Sequence, residues 1–171
     1  MKGLYLAAKR GDWQKANGIY KIYHQNKDMW ELPITLVQQR MNTLQVAVAV
    51  KQTTFVKEVL GCMTGKQLEF RTNNGDTALI INALSGNVEI AKKMVGMNTN
   101  LPMIRNNQGS LPLLTAAMHR QRDMVVYLYS VTEFDQLKDD ERIKLLLDVI
   151  SCDLFGMSFI LLIVSFRPLM H

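Results

Sequence analysis

The stretch that decides the fold runs from Arg71 to Val95 and reads RTNNGDTALIINALSGNVEIAKKMV. It opens with Asn73-Asn74-Gly75-Asp76, residue types that tolerate the left-handed backbone of tight turns. Thr77 follows, where its side-chain oxygen can cap a helix. Apolar residues then recur at helical spacing in two runs, which Ser85-Gly86-Asn87 separates. We therefore predict a turn and two short antiparallel helices. A unit of about 25 residues cannot bury its apolar faces without copies of itself on both sides.

A seven-residue step from a leucine anchor to a helix breaker repeats along the chain. The anchors are Leu4, Leu44, Leu79, Leu113 and Leu145, and the matching breakers are Gly11, Lys51, Gly86, Arg120 and Cys152. Successive anchors are 40, 35, 34 and 32 residues apart. Small residues three and four places after the first four anchors predict close approach of neighbouring first helices. Apolar pairs further along each unit predict the buried side of a second helix.

Two segments carry the motif of a known repeat family. The run from Gly75 to Ile90, with Thr77, Leu79 and Ala83, resembles the ankyrin repeat, whose pattern centres on T-P-L-H-x-A at a period of about 33 residues. Residues 109–117 are a second match. Residues 4–13 and 124–132 are similar to a plant group of ankyrin proteins, in which a membrane domain of several spans, the PGG domain, usually follows the repeats. The resemblance implies an all-α solenoid of stacked helix-turn-helix units with β-turn or hairpin connections.

We expect one ankyrin-repeat array over residues 1–162 and a C-terminal tail at 163–171. The expected units are at about 4–23, 41–61, 75–96, 109–130 and 141–162. Residues 24–40 form the longest connection, in which Pro33 prevents a continuous helix. Trp13 is expected to pack onto the second unit.

The second unit departs most from the family pattern. Gln45 stands where histidine is usual, and Lys51 replaces the glycine of the inter-helix turn. If that turn needs a positive φ, a residue other than glycine costs about 1 kcal/mol there. Arg120 and Cys152 carry the same expected cost in the fourth and fifth units. We therefore expect the stack to be less stable than a consensus array.

Composition narrows the function classes. The chain is 48% hydrophobic and 20% charged, as folded proteins are, and its formal net charge of +5 is a modest excess. The basic residues are scattered, which argues against a nucleic-acid partner. Cys62 and Cys152 have no partners at metal-ligand spacing. Charges follow the first methionine within a few residues, so we predict no signal peptide and a cytoplasmic protein.

The sequence offers no catalytic constellation. The segment 61–66, GCMTGK, has too few residues between its glycines for a phosphate-binding loop, and Gln67 follows the lysine where Ser or Thr is required. His119 and Asp123 could pair, but no nucleophile accompanies them. We therefore predict no enzyme activity, no cofactor, no metal and no small-molecule substrate.

What the resemblance implies instead is a protein-binding surface on the concave side of the array, made of turn tips and first-helix faces. Carried over by position, the candidate protein-binding residues are Gln38, Gln39, Met41, Asn73, Asn74, Asp76, Leu84, Ser85, Asn107, Gln108, Ser110, Met118 and His119. The partner is a protein of unspecified identity, bound by an adaptor or scaffold in signalling or stress response. The alternative for the amide-rich positions is that turns simply require Asn and Gly.

The C-terminal region supports a second interpretation. Residues 154–166, LFGMSFILLIVSF, carry no charge, but a membrane span needs about 20 residues. We favour the second helix of the fifth unit followed by an apolar tail. The alternative is a membrane-associated component, anchored at or peripheral to a membrane and docking through 154–166. Because the PGG domain usually follows the repeats in the plant group, we expect this chain to be a truncated relative or an incomplete gene product, and a decayed duplicate is a further hypothesis.

Overall fold

The computed structural model describes residues 2–23 and 41–151. Within these ranges the chain forms α-helices and short 3₁₀ helices and no strand, which confirms the all-α prediction. The α-helices are α1 (Lys2–Arg10), α2 (Trp13–Tyr23), α3 (Thr43–Ala49), α4 (Thr53–Gly61), α5 (Ala78–Ser85), α6 (Val88–Met97), α7 (Pro112–Met118), α8 (Arg122–Val131) and α9 (Asp139–Ser151). The 3₁₀ helices are Gly65–Glu69, Leu101–Met103 and Phe134–Gln136.

The helices form two layers. Helices α1, α3, α5, α7 and α9 contact one another in that order and make the inner layer. Each of the first four also contacts the helix that follows it in the chain, and α4, α6 and α8 contact one another in the outer layer. Every unit thus touches mainly its neighbours, which is the solenoid arrangement that the repeat pattern predicts.

The anchors and small residues explain why the inner helices approach closely. Leu44, Leu79, Leu113 and Leu145 are each at most 1% exposed. The small residues that follow the first four anchors are equally buried, and at most positions they present only a methyl group to the neighbouring helix. Both sets are therefore buried as expected, except that the first anchor, Leu4, is half-buried. Trp13 packs edge-to-face on Phe55 of the second unit, with ring centroids 5.7 Å apart, as predicted.

The breaker positions adopt the left-handed conformation that glycine favours. Gly11 and Gly86 have φ values of 71° and 74°, and Lys51 and Arg120 have 60° and 56°. The structure therefore confirms that the inter-helix turn needs a positive φ. Cys152, the fifth breaker, lies outside the described residues.

At each glycine breaker, a glutamine of the following unit packs over the glycine. The side-chain Nε2 of Gln121 donates to the carbonyl of Leu84 at 3.0 Å, and Gln52 makes the equivalent bond to Lys9 at 3.4 Å. A β-carbon on Gly86 would collide with Oε1 of Gln121, and one on Gly11 with Gln52. Glycine therefore avoids both the strain of a positive φ and a contact with these glutamine side chains.

Polar bonds between the turns add to the packing. We call residues 71–77 and 105–111 the third and fourth fingers. Five hydrogen bonds join the third and fourth units: Asn107 N to Asn74 O, Asn107 Nδ2 to Asn73 O, Asn106 Nδ2 to Asp76 Oδ1, Arg71 Nη1 to Arg105 O and Gln121 Nε2 to Leu84 O. These bonds satisfy finger groups that helix packing leaves unpaired.

Gln45 performs a similar task between the second and third units. It is fully buried, and its Nε2 donates to the carbonyls of Phe70 at 2.9 Å and Asp76 at 3.3 Å. Its Oε1 accepts the backbone N–H of Asn42 at 2.9 Å, which completes a capping box at the start of α3. The amide thus bridges units from the position where the family pattern has histidine.

The first helix of the fifth unit begins at Asp139, earlier than the expected Glu141. Asp139, Asp140 and Glu141 therefore lie within its first turn, where carboxylates favour the positive end of the helix dipole. Leu145 and Val149 are buried where this helix packs against the stack. The expected connection 24–40 and the apolar segment 154–166 lie outside the described residues.

Candidate functional site

The solvent face of the inner layer carries an apolar strip. Within residues 2–23 and 41–151, eight large hydrophobic side chains are exposed, and seven belong to inner helices or their caps. Four of these define what we call the inner strip: Val50, Leu84, Met118 and Ile150. Ile143 and Leu147 stand two places before and two places after the anchor Leu145, at positions that the second to fourth units bury, so they lie on another side of α9. Leu6 lies on α1, and Val126 is on the outer helix α8.

The repeat aligns these residues. Leu84, Met118 and Ile150 stand five places after their anchors, and Ala49 has this position in α3. Equivalent positions of stacked units point the same way, so they form one continuous line across α3, α5, α7 and α9. Met118 is 53% exposed and Leu84 is 41% exposed. Contiguous exposed apolar surface of this kind is typical of interaction sites.

The structure places the first-helix candidates on or beside the inner strip. Leu84 and Met118 are part of it, and His119 is the exposed C-terminal cap of α7. Ser85 is half-buried, and its hydroxyl donates to the carbonyl of Asn82 at 2.9 Å. Met41 is half-buried against the core.

The finger candidates divide into two groups. Asn73, Asn74 and Gln108 are exposed, as is Asn107. The amide of Asn107 is also engaged in the bonds between fingers, and Asp76 accepts a bond from Asn106. Ser110 is half-buried beside Thr115. Asn107 and Asp76 therefore have a structural role whatever else they bind. Gln38 and Gln39 lie outside the described residues.

Two features of this face were missed in the sequence. The first is the α9 part of the inner strip, Ile150. The anchor register would have found Ile150, because it lies five residues after Leu145. The second is a basic row at the turn end of the inner helices, which we define as Lys9, Arg10, Lys51 and Arg120. All four are exposed, and none forms an ion pair with another described residue.

Two clefts lie near this face. A cavity of about 170 Å³ is lined by Lys51, Thr53, Asn82 and Asn87 among others. Its polar groups bond to each other, since Asn87 Nδ2 donates to Thr53 Oγ1 at 3.2 Å and Asn82 Nδ2 to the Asn87 carbonyl at 2.8 Å. A more polar groove of about 200 Å³ separates the fourth finger from α9, and Gln108 and Ser110 are among its lining residues.

The perturbed titratable groups are scattered rather than gathered in a site. Burial raises the pKa of Cys62, and the nearby Glu58 carboxylate raises it further, so the thiol is poorly suited to act as a nucleophile. Burial also raises the pKa of Asp148, against the opposing effect of Lys144. The segment 61–66 ends α4 and begins a 3₁₀ helix, as a connection between units does.

The described part of the chain holds neither a metal-binding cluster nor a helix that could span a membrane. Across residues 2–23 and 41–151, no cluster of three His, Cys, Asp or Glu side chains could hold a metal ion. Nor does any helix there have the length and apolar character that crossing a membrane demands.

Comparison with known proteins identifies the repeat. The family model described as ankyrin repeats (3 copies) matches residues 44–140, which is more than half of the 171-residue chain. A search of curated protein sequences gives no significant match. The chain also resembles a chain in the crystal structure of the yeast ribosomal protein Rps3 in complex with its chaperone Yar1, with a TM-score of 0.64 and 19% identity over 79% of this chain and 94% of that one. At that identity the likeness concerns the fold alone. Together with the stacked helix pairs, the family match shows that this chain belongs to the ankyrin-repeat family.

Proposed function

We propose that the protein is a non-enzymatic adaptor or scaffold that binds a partner protein on the concave surface of its ankyrin array. The observation that carries this proposal is the inner strip. The units otherwise bury their large apolar side chains almost completely, yet Leu84 and Met118 are exposed at the same register of consecutive units. Burying such side chains on a partner stabilises a complex, whereas leaving them in water contributes nothing to the fold.

The surroundings of the strip suit a protein partner. Protein interfaces combine an apolar centre with a polar rim, and a few central residues carry most of the binding energy. Leu84 and Met118 would form the centre, and Ser85 and His119 lie beside them along the chain. The finger residues form the rim: Met41, Asn73, Asn74, Asp76, Asn107, Gln108 and Ser110 from the described part of the chain, with Gln38 and Gln39 from the region that is not described.

We also propose a cellular role for the adaptor. The similarity of residues 4–13 and 124–132 to a plant group of ankyrin proteins supports a place in signalling or stress response in the cytoplasm. A second candidate function is a membrane-associated component that docks through residues 154–166. The uncharged composition of that segment favours it.

Site-specific photo-crosslinking in cells tests the proposal. A photoreactive phenylalanine analogue would replace Met118 in one full-length variant and Val126 in another. Val126 is the matched control, because it is 51% exposed and apolar but lies on the outer helix. We expect discrete protein adducts from position 118 and none of the same mass from position 126. Equal labelling at both positions, or none at 118, would refute binding on the concave surface. Cell fractionation of the same samples separates the adaptor from the membrane candidate.

A further inference from the structure

The inner strip presents apolar groups at a regular spacing. Leu84, Met118 and Ile150 lie on α5, α7 and α9, which pack side by side. Axes of packed helices are about 8–10 Å apart. An α-helix rises about 1.5 Å per residue, so residues seven apart lie on one face at a separation of about 10.5 Å. A partner helix that runs along the stack can therefore place one apolar side chain over each inner helix.

An extended partner fits this surface less well. Extended peptides are usually held by main-chain hydrogen bonds to an exposed strand edge. Here the inner strip consists of helix side chains, and the backbone of the fingers is used internally. Thr72 N donates to Asp76 O, Asn106 N to Ser110 O and Asn107 N to Asn74 O. An α-helix pairs its own backbone N–H and C=O groups, so it can be buried on this strip without leaving backbone groups unpaired.

The positive charge beside the strip indicates which kind of helix would bind. Two residues of the basic row, Lys51 and Arg120, lie at the turn edge of the strip, after α3 and α7, and neither has an ion pair within the described residues. The nearest acidic residue in the first turn, Asp12, already accepts a bond from the Lys15 backbone N–H as a helix cap. In the fourth unit, Asp123 lies in the first turn of α8. The turn edge therefore has a net positive charge, and complementary charge steers and orients a partner.

From these observations we infer that the partner segment is an acidic amphipathic α-helix. It lies along the inner strip across α3, α5, α7 and α9, with apolar residues about seven positions apart and carboxylates on the flank that faces Lys51 and Arg120. The inference rests on the proposed concave binding surface and specifies what that surface recognises.

Peptide selection tests this inference with a defined probe. The full chain would be immobilised and used to select from a phage library of 21-residue peptides with randomised positions in a helix-favouring background. One enriched peptide would then be synthesised, and its affinity measured by fluorescence anisotropy at two salt concentrations. We expect enriched peptides to be helical when bound, to repeat apolar residues at seven-residue spacing, and to carry excess Asp and Glu on one flank. Their affinity should fall as salt rises.

Two pairs of variants distinguish binding from folding. Met118→Gln should weaken the peptide about tenfold or more, whereas Val126→Gln on the outer helix should leave its affinity unchanged. The double variant Lys51→Gly with Arg120→Gly removes two charges of the basic row at positions with a positive φ, so it does not harm the fold. It should weaken the peptide about fivefold or more. The matched control, Lys66→Gln with Lys93→Gln, removes two exposed charges elsewhere and should have no effect.

The alternative outcomes are distinct. Peptides that lose affinity on Met118→Gln but are extended, or carry basic flanks, would overturn the acidic helix and leave the concave surface standing. Peptides that bind the Met118→Gln variant as well as the wild type would count against both the acidic helix and the concave binding surface. If no peptide is enriched and position 118 crosslinks to a second copy of the chain, or to its own residues 154–166, the strip has that occupant and the inference is wrong.

Discussion

Replacing the two strained breakers with glycine should stabilise the protein. Lys51 and Arg120 have φ values of 60° and 56°, where the first and third units have glycine. An L-residue pays about 1–2 kcal/mol in this conformation. Glycine loses about 0.5–1 kcal/mol more backbone entropy on folding than other residues. The difference leaves a net gain of about 0.5–1 kcal/mol for each of Lys51→Gly and Arg120→Gly.

The two gains should add, because the substitutions lie in different units with no shared contacts. The double variant is then about 1–2 kcal/mol more stable than the wild type. Urea unfolding followed by circular dichroism measures this, and with a slope of about 2 kcal/mol per molar the midpoint should rise by about 0.5–1 M.

Alanine substitutions provide the control. Lys51→Ala with Arg120→Ala removes the same charges but keeps a β-carbon at a positive φ, so the gain should be absent. Gly86→Ala should destabilise, since it adds the strain of a positive φ to a collision with Gln121. If the alanine pair stabilises as much as the glycine pair, charge rather than backbone strain is responsible, and the reasoning fails.

Substitutions at Gln45, Glu141 and Asp148 test individual side chains. Gln45→Leu should cost about 2–3 kcal/mol in urea unfolding, because it leaves buried backbone groups of two units without partners, and Gln45→His should recover part of the loss. Glu141→Gln should lower stability by about 1–2 kcal/mol, since Glu141 pairs with Arg105 at 3.1 Å and is only 11% exposed. Glu89→Gln at an exposed pair serves as its control and should change the midpoint little. Asp148 has a raised pKa in the folded state, so its stabilising contribution is present at low pH and is lost as pH rises through that pKa. Asp148→Asn should therefore stabilise at pH 7, and melting curves should show this advantage shrinking as the pH falls towards the pKa of the unfolded carboxyl.

The fold could be predicted because its rules are local. Thr77 caps α5 by accepting a bond from Ile80 N at 3.3 Å, and Gly86 ends that helix, both within a few residues of where the sequence indicates them. The unusual breakers Lys51 and Arg120 were equally predictable, since the register of the anchors assigns them the conformation of their glycine counterparts.

The candidate surface was only partly predictable, because exposure depends on what a neighbouring unit covers. Ile143 and Leu147 resemble core residues in the sequence, and only the packing of α9 shows that they face solvent. Asn107 appears as a free turn amide in the sequence, but a residue 34 positions away accepts its side-chain bond. A pattern within a single unit cannot predict a contact between residues that lie one full repeat apart.

The five hydrogen bonds between the third and fourth units have a consequence for how the stack opens. Units of a solenoid interact only with their neighbours, so the ends can unfold while the centre stays folded. A ligand that spans α5 to α9 touches both this well-connected centre and the fifth unit, so separation of that unit requires part of the ligand to detach. Release of a bound partner and slow hydrogen exchange in α9 would then report the same opening event, and the lifetime of the complex would be governed by the joint between the fourth and fifth units.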